Sequence, residues 1–206
     1  MPCEIARSAP KRKEEFFHGR VAACYALAAM NRHDHDAACP SPSRPFEWPS
    51  IGIGAHHEPI WPSGVVGSIS HCSGLAASAV SSEGRLRGLG IDIEHVAGPD
   101  AIAALKQVVL DSAELECLHA ATSHWPLELL LTAAFSAKES FYKGAFNAVG
   151  RFFGFEAVRL RFVDEQRQRL RFTVTQPLAA PFPLGHSFEV SFDTPTQGTV
   201  LTHFAW

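Results

Sequence analysis

The stretch "GLGIDIEHV", from Gly88 to Val96, places two acidic residues inside an otherwise apolar run. Successive side chains of a strand alternate between its two faces, so Asp92 and Glu94 would share one face, opposite the two isoleucines. Two carboxylates on one face repel each other unless a cation lies between them. The stretch is therefore either a strand end with solvated acids or one side of a site that holds positive charge.

The segment "FSAKESFYKG", residues 135–144, supplies groups that could meet these acids. Glu139 and Lys143 are four residues apart, so they lie on one face of a helix. An ordinary surface ion pair has the same spacing, but the surrounding Phe and Tyr side chains favour a buried face. If Glu139 faces Asp92 and Glu94, the three carboxylates form an oxygen-rich site that suits Mg²⁺. Lys143 would then face an anion that shares the metal.

The composition of the chain limits the classes of protein to which it can belong. Its 206 residues, 46% of them hydrophobic, can form a core as one domain or as two small ones. The net charge of −3 argues against a general nucleic-acid binder. We expect no signal peptide and no membrane segment, because the residues before Met30 lack a clean apolar core and no apolar run reaches membrane-spanning length. Five cysteines without C-x-x-C spacing predict a reducing, cytoplasmic location.

The hydrophobic periodicity predicts an α+β fold of two similar halves, 1–97 and 98–206, related by a pseudo-twofold axis. Each half is expected to contain an antiparallel sheet covered by a long helix. The long helices are predicted at Glu14–Ala29 and from Leu127 to about Phe146, and further helical segments are predicted between Pro99 and Ala120. Ligand pockets often lie at the interface between two domains, so we expect the active site between the two halves. Because one polypeptide would supply both sides, we expect a monomer.

Five quoted segments together resemble one known family. "GIDIE" (90–94) followed by "FSAKESFYK" (135–143) resembles the paired signature of the 4′-phosphopantetheinyl transferases of the surfactin and enterobactin-synthetase-component-D type. "KRKEEFFHGR" (11–20) is similar to the N-terminal basic helix of that family, and "PIWPSGVVGSISHCSGLAASAV" (59–80) to its segment that binds coenzyme A (CoA). "DSAELECL" (111–118) is similar to the helix between the two signatures.

The resemblance implies transfer of the 4′-phosphopantetheine arm of CoA to a serine of an apo acyl or peptidyl carrier protein, with release of 3′,5′-ADP. It implies that Asp92, Glu94 and Glu139 hold Mg²⁺, or Mn²⁺, on the pyrophosphate. Asp92, Glu139 and Lys143 would be catalytic. Glu139 would be the general base, directly or through a water, and Lys143 would stabilise the pyrophosphate. Lys138 would also reach the phosphates.

The 3′-phosphate of CoA needs its own contacts. The resemblance assigns it to Ser70 and His71, with His71 as a charge-assisted donor. Arg20, Arg12 and His57 are further candidates for this phosphate.

Two positions depart from the family pattern. Cys24 stands where many relatives carry a second arginine, and "HHEP" (56–59) stands where relatives often place a basic residue before the proline. A thiol cannot pair with phosphate, and a histidine supplies only partial charge near neutral pH, so CoA affinity is expected to be weaker or more pH-dependent.

Two other functions remain open. A metal-dependent phosphodiesterase would use the same carboxylates with water as the nucleophile, and would favour a broad basic surface if it acted on nucleic acid. A non-catalytic module that binds carrier proteins or CoA would tolerate loss of an acid or of Lys143. The alternating His and Asp residues of "NRHDHD", Asn31–Asp36, follow a predicted helix in a polar loop, and we assign no metal to them.

Overall fold

The computed structural model describes residue 5 and residues 7–34 and 50–206 of the chain. Only the backbone is described for the helical residues 31–34, so the side chains of "NRHDHD" lie outside the described residues. No described helix combines the length and the apolar composition needed to cross a membrane.

The described residues of the first part of the chain form one long helix and five strands. The helix, α1, spans Pro10–Asp34 and is longer than the predicted segment. Two short strands, β1 (Gly52–Ile53) and β2 (Pro59–Ile60), precede an antiparallel hairpin. The remaining strands are β3 (Val65–Cys72), β4 (Leu75–Ser82) and β5 (Leu89–His95). The hairpin turn between β3 and β4 uses Gly74 at φ 79°, a left-handed conformation that glycine adopts without strain.

The second part contains three helices followed by four strands. The helices are α2 (Pro99–Val108), α3 (Ser112–Ala120) and α4 (Leu127–Val149). A short 3₁₀ turn at Phe155–Ala157 leads into the strands. These are β6 (Val158–Asp164), β7 (Arg169–Val174), β8 (Ser187–Asp193) and β9 (Thr199–Ala205).

The main sheet contains five antiparallel strands in the order β5-β9-β8-β7-β6, which confirms the predicted α+β class. Alternate residues of β7 and β8 are buried, as period-two patterning requires, and pack against α4. Phe141 of α4 stacks on Phe188 of β8, with 4.1 Å between ring centroids. The apolar core therefore lies between α4 and the main sheet.

Strand β5 connects this sheet to the β3–β4 hairpin. Its backbone pairs with β9, from Leu89 opposite Ala205 onward. On its other side, the N–H groups of Ile91 and Ile93 donate to the hydroxyls of Ser68 and Ser70, at 3.0 and 3.2 Å. Serine side chains thus accept backbone hydrogen bonds where β3 and β5 run side by side.

Helix α4 crosses β5 at unusually short range because glycines meet there. A Cβ atom on Gly90 would lie 1.9 Å from the carbonyl oxygen of Ser140 and 2.5 Å from the nitrogen of Gly144. Both neighbours are backbone atoms of a helix, so moving them aside would cost substantial free energy. This contact fixes the height of α4 above the strand that carries Asp92.

Gly90→Ala should therefore destabilise the protein severely, by about 3 kcal/mol or more, because the added methyl group overlaps helix backbone. Gly84→Ala is the matched control, since a Cβ atom there meets nothing within 4 Å. Urea unfolding of both variants measures the difference. A Gly90→Ala variant as stable as the control would contradict this packing.

Candidate functional site

Asp92 faces Lys143, which identifies the positive charge opposite the first of the two strand acids. Asp92 is buried, and its Oδ1 lies 2.6 Å from Lys143 Nζ. The Ser70 hydroxyl donates to the same oxygen at 2.8 Å and accepts from Lys143 at 3.1 Å. Asp92 Oδ2 is buried and has no hydrogen-bond partner among the described residues. One carboxylate oxygen is therefore occupied and the other is still without a partner.

Glu94 and Glu139 share this electrostatic environment. Burial, reinforced by the charge of Asp92, raises the pKa of Glu94 to about 7. Burial also raises the pKa of Glu139, with Lys143 opposing the shift and Asp92 adding to it. Each glutamate therefore holds a proton more readily than an exposed glutamate does, and a nearby cation would favour the ionised forms.

The three carboxylates do not form a ready ligand set for a metal. Among the described side chains, those of residue 5 and of residues 7–30 and 50–206, no group of three or more His, Cys, Asp or Glu residues is arranged to hold a metal ion. Their chemistry nevertheless fits a hard cation, because Asp92 has an unpartnered buried oxygen and both glutamates lie in surroundings that disfavour their negative charge.

A separate cavity of about 160 Å³ lies between α1 and β3. Four residues predicted to bind the 3′-phosphate line it: Arg12, Arg20, His57 and His71. We call this the anion cavity. Its basic side chains come from α1, from the β1–β2 loop and from β3, so it depends on the packing of the long helix on the hairpin.

His71, one of the two histidines of this cavity, gives up its proton more readily than an exposed histidine does. Arg12 Nη1 lies 3.2 Å from His71 Nε2, and a guanidinium can only donate, so Nε2 accepts and the proton resides on Nδ1. Burial lowers the pKa of His71; Glu15 opposes this shift, while Arg12 and Lys143 add to it. A charge-assisted contact from His71 to the 3′-phosphate stays a prediction, although burial and the neighbouring Arg12 both disfavour the charged imidazole here.

Arg20 is partly committed to the protein itself. Its Nη2 donates to the Gly52 carbonyl at 3.0 Å, and its guanidinium lies 4.8 Å from the centre of the Phe16 ring. Its Nε is buried without a hydrogen-bond partner among the described residues. Cys24 lies one helical turn further along α1, where burial raises the pKa of its thiol and keeps it uncharged.

Ser70 lies outside the anion cavity. Alternation along β3 turns Ser70 toward Asp92 and the neighbouring His71 toward α1, so the two predicted phosphate ligands are separated.

Lys138 lines neither the anion cavity nor the neighbouring cavity that reaches Lys143. Its side chain is only 2% exposed and lies 2.8 Å from a carboxylate oxygen of Glu114. The ammonium also donates to the carbonyls of Val109 and Phe155, at 2.8 and 3.2 Å, so its three donors are all occupied. The prediction that Lys138 reaches the phosphates is not met in this structure, because α3 presents a buried carboxylate to it.

Two further cavities adjoin the predicted catalytic side chains. One, of about 220 Å³, shares His57, Pro59 and Ile69 with the anion cavity and extends to Lys143 and Tyr142. We call it the central cavity. The other, of about 210 Å³, is mainly apolar, and its lining includes Glu139, Tyr142, Phe152, Phe153 and Phe155. The anion and central cavities therefore share lining residues, and Tyr142 lines both the central and the apolar cavity.

Comparison with known proteins bears on the same elements. A family model described as "4'-phosphopantetheinyl transferase N-terminal domain" matches residues 3–81, and one described as "4'-phosphopantetheinyl transferase superfamily" matches residues 88–190. The chain belongs to the 4′-phosphopantetheinyl transferase superfamily. The second match contains both β5 and α4, the two elements that carry Asp92, Glu94, Glu139 and Lys143.

Individual superfamily relatives are similar over most of this chain. Enterobactin synthase component D of Salmonella typhi is 37% identical over 150 residues, which is 73% of this chain and 55% of the relative. The 4'-phosphopantetheinyl transferase Npt of Nocardia iowensis is 37% identical over 165 residues, 78% of this chain and 64% of Npt. PptT of Mycobacterium tuberculosis (strain ATCC 25618 / H37Rv) is 33% identical over 159 residues, 77% of this chain and 62% of PptT. The chain thus spans less than two thirds of these curated relatives.

Two residues that line these cavities were not predicted as site residues from the sequence. Glu15 lines the anion cavity, and its position one turn after Arg12 on a helix was the available signal. Tyr142 lines both the central and the apolar cavity, and it directly precedes Lys143 in the second signature. Burial raises the pKa of Tyr142, with Glu139 adding to the shift, so its hydroxyl stays protonated and can donate a hydrogen bond.

The raised pKa of Glu94 makes the stability of the protein pH-dependent in the absence of divalent cations. The folded carboxyl holds its proton up to about pH 7, whereas an unfolded glutamate loses it near 4.5. Between these values the folded state binds more protons, so stability falls as pH rises. Glu94→Gln removes this contribution.

We therefore expect the wild-type protein to lose stability relative to Glu94→Gln between pH 5 and pH 8. Urea unfolding of both proteins in chelator at the two pH values measures this. A stability difference that is unchanged, or that moves in favour of the wild type with rising pH, would show that Glu94 is not in a desolvated, acid-rich site.

Proposed function

We propose that this chain transfers the 4′-phosphopantetheine group of CoA to a serine hydroxyl of an apo acyl or peptidyl carrier protein, releasing 3′,5′-ADP. One observation carries the proposal. In a chain of this superfamily, a cavity lined by two arginines and two histidines adjoins a second cavity that ends at Lys143, which contacts Asp92.

The anion cavity suits the 3′-phosphate of CoA. Arg12 and Arg20 bring two guanidinium groups, whose forked donors suit phosphate, and the buried Nε of Arg20 is a donor without a hydrogen-bond partner among the described residues. His57 and His71 would add hydrogen bonds. Because Ser70 is engaged with Asp92, its role would be to position that carboxylate rather than to bind the phosphate.

The central cavity would then receive the pyrophosphate near Lys143. The Lys143 side chain is 27% exposed, so its ammonium can be reached from the cavity while it contacts Asp92. The apolar cavity beside Glu139 suits the pantetheine arm, which is largely uncharged and must extend away from the reacting phosphorus.

The reaction requires charge neutralisation and one proton transfer. Asp92, Glu94 and Glu139 would hold Mg²⁺, or Mn²⁺, which when bound supplies positive charge to the pyrophosphate oxygens. The serine oxygen forms a bond to the β-phosphorus, and the bond from that phosphorus to the bridging oxygen breaks. The bridging oxygen keeps the electron pair and leaves with 3′,5′-ADP, where Lys143 would stabilise its charge.

Glu139 would take the proton of the serine hydroxyl. Its pKa is raised by burial, which moves the carboxylate toward the basicity that a general base needs near neutral pH. It also lines the apolar cavity beside the proposed position of the arm.

We propose that the site lies between two similar halves, 1–97 and 98–206, related by the predicted pseudo-twofold axis. The contact of Asp92 with Lys143 and the mixed lining of the central cavity support a site between these two residue ranges, because each range contributes to both. One polypeptide would supply the whole site, so we propose a monomer. A cytoplasmic location stays a prediction from composition.

Incubation with CoA, Mg²⁺ and a purified apo carrier protein tests the function. We expect a mass increase on the carrier serine and formation of 3′,5′-ADP, both abolished by excess chelator and restored by Mg²⁺ or Mn²⁺. Breakdown of CoA without modification of the carrier would indicate a phosphodiesterase instead. Binding of CoA without either reaction, across a panel of fatty-acid, polyketide and peptide-synthetase carriers, would indicate a non-catalytic module.

A further inference from the structure

The anion cavity contains one group that does not suit an anion. Among its described lining residues, Glu15 alone is acidic. It lies on α1 three residues after Arg12, and its side chain is 23% exposed. A phosphate that enters this cavity must therefore come close to a carboxylate of the same sign.

The distances around Glu15 indicate a through-space charge interaction. Its Oε2 lies 3.8 Å from Arg12 Nη1 and 3.9 Å from His71 Nδ1, and its Oε1 lies 4.0 Å from Lys11 Nζ. All three distances exceed hydrogen-bond length. Glu15 therefore does not hold one partner in a fixed geometry but acts on several basic groups at once.

Glu15 could be an ordinary helical ion-pair residue, since Lys11 and Arg12 have the right spacing for such pairs. Its third neighbour argues for more than that. His71 belongs to β3, across the cavity from α1, and the Glu15 charge opposes the lowering of the His71 pKa. The carboxylate thus reaches the side of the cavity opposite its own helix.

We propose that Glu15 is an internal counter-ion of the anion cavity and limits how tightly the cavity holds the 3′-phosphate of its ligands. Without a ligand, its charge balances that of Arg12. With a ligand, it repels the phosphate that replaces it as the partner of Arg12. This inference rests on the proposed function, because it takes CoA as the ligand.

The chemistry of the transfer gives this counter-ion a use. The product 3′,5′-ADP is adenosine 3′,5′-bisphosphate, and it carries the same 3′-phosphate as CoA. Stronger binding of that group therefore stabilises substrate, transition state and product equally. Binding of this uniform kind does not speed the chemical step, and it slows product release. A carboxylate in the cavity weakens the hold on the product, so Glu15 would set the balance between CoA capture and product release.

The test compares Glu15→Gln with Glu14→Gln. Glu14 is the adjacent, exposed residue of the same helix and does not line the anion cavity, so its substitution removes the same charge from the same region. Calorimetry at fixed ionic strength measures the affinity of each protein for adenosine 3′,5′-bisphosphate and for AMP, which lacks the 3′-phosphate.

We expect Glu15→Gln to bind the bisphosphate about tenfold more tightly than the wild type does, equivalent to about 1.4 kcal/mol, and to bind AMP within about twofold of wild type. Glu14→Gln should change both affinities by less than about twofold. Inhibition of transfer by added bisphosphate should strengthen in Glu15→Gln to the same degree.

Three results would overturn the inference: equal effects of the two substitutions, weaker bisphosphate binding by Glu15→Gln, or no bisphosphate binding by any of the proteins. The proposed function is tested separately, by assaying transfer of the 4′-phosphopantetheine group by the wild-type protein. Transfer with no tightening in Glu15→Gln refutes the role of Glu15 alone. Tightening without transfer supports a phosphate-binding cavity with an opposing carboxylate but refutes the transferase.

Discussion

The backbone-to-backbone contact between α4 and β5 is the constraint on which the proposed site depends. Gly90 and Gly144 let the helix approach the strand more closely than any side chain would allow. Asp92 follows Gly90 by two residues, and Lys143 directly precedes Gly144, so the same contact places the ammonium 2.6 Å from the carboxylate. A helix held further away would leave a buried acid without a cation, at a cost of several kcal/mol.

The acids around this contact differ in how completely neighbouring groups balance their negative charge. Asp92 is matched locally by Lys143 and Ser70, whereas Glu94 and Glu139 are matched less completely and have raised pKa values. Ser70, which accepts the backbone N–H of Ile93, thus also orients the carboxylate of Asp92. The anion cavity shows the reverse arrangement, with an excess of basic groups and one acid. The basic groups thus gather in the anion cavity, and the acids gather around the contact between α4 and β5.

Local periodicity was enough to predict which side chains share a face. The alternation along β5 and the spacing of Glu139 and Lys143 on α4 follow from the geometry of one element, and the α+β class follows from the order of the elements. Contacts set by distant parts of the chain could not be read this way. Lys138 looks like a phosphate ligand until Glu114 of α3 is placed beside it, and β5 pairs with β9, far away in the sequence. The separation of Ser70 from His71 lies between these cases, because alternation predicts it once β3 is known to be a strand.

The central claim is that Asp92 becomes part of a divalent-cation site when CoA is present. Electron paramagnetic resonance of free Mn²⁺ measures this directly, by titrating the wild-type protein and Asp92→Asn with and without CoA. Asp100→Asn, at an exposed position of α2, is the control. We expect CoA to promote Mn²⁺ binding by the wild type and the control, and Asp92→Asn to bind it at least about tenfold more weakly. Equal Mn²⁺ binding by all three proteins in the presence of CoA would contradict the account.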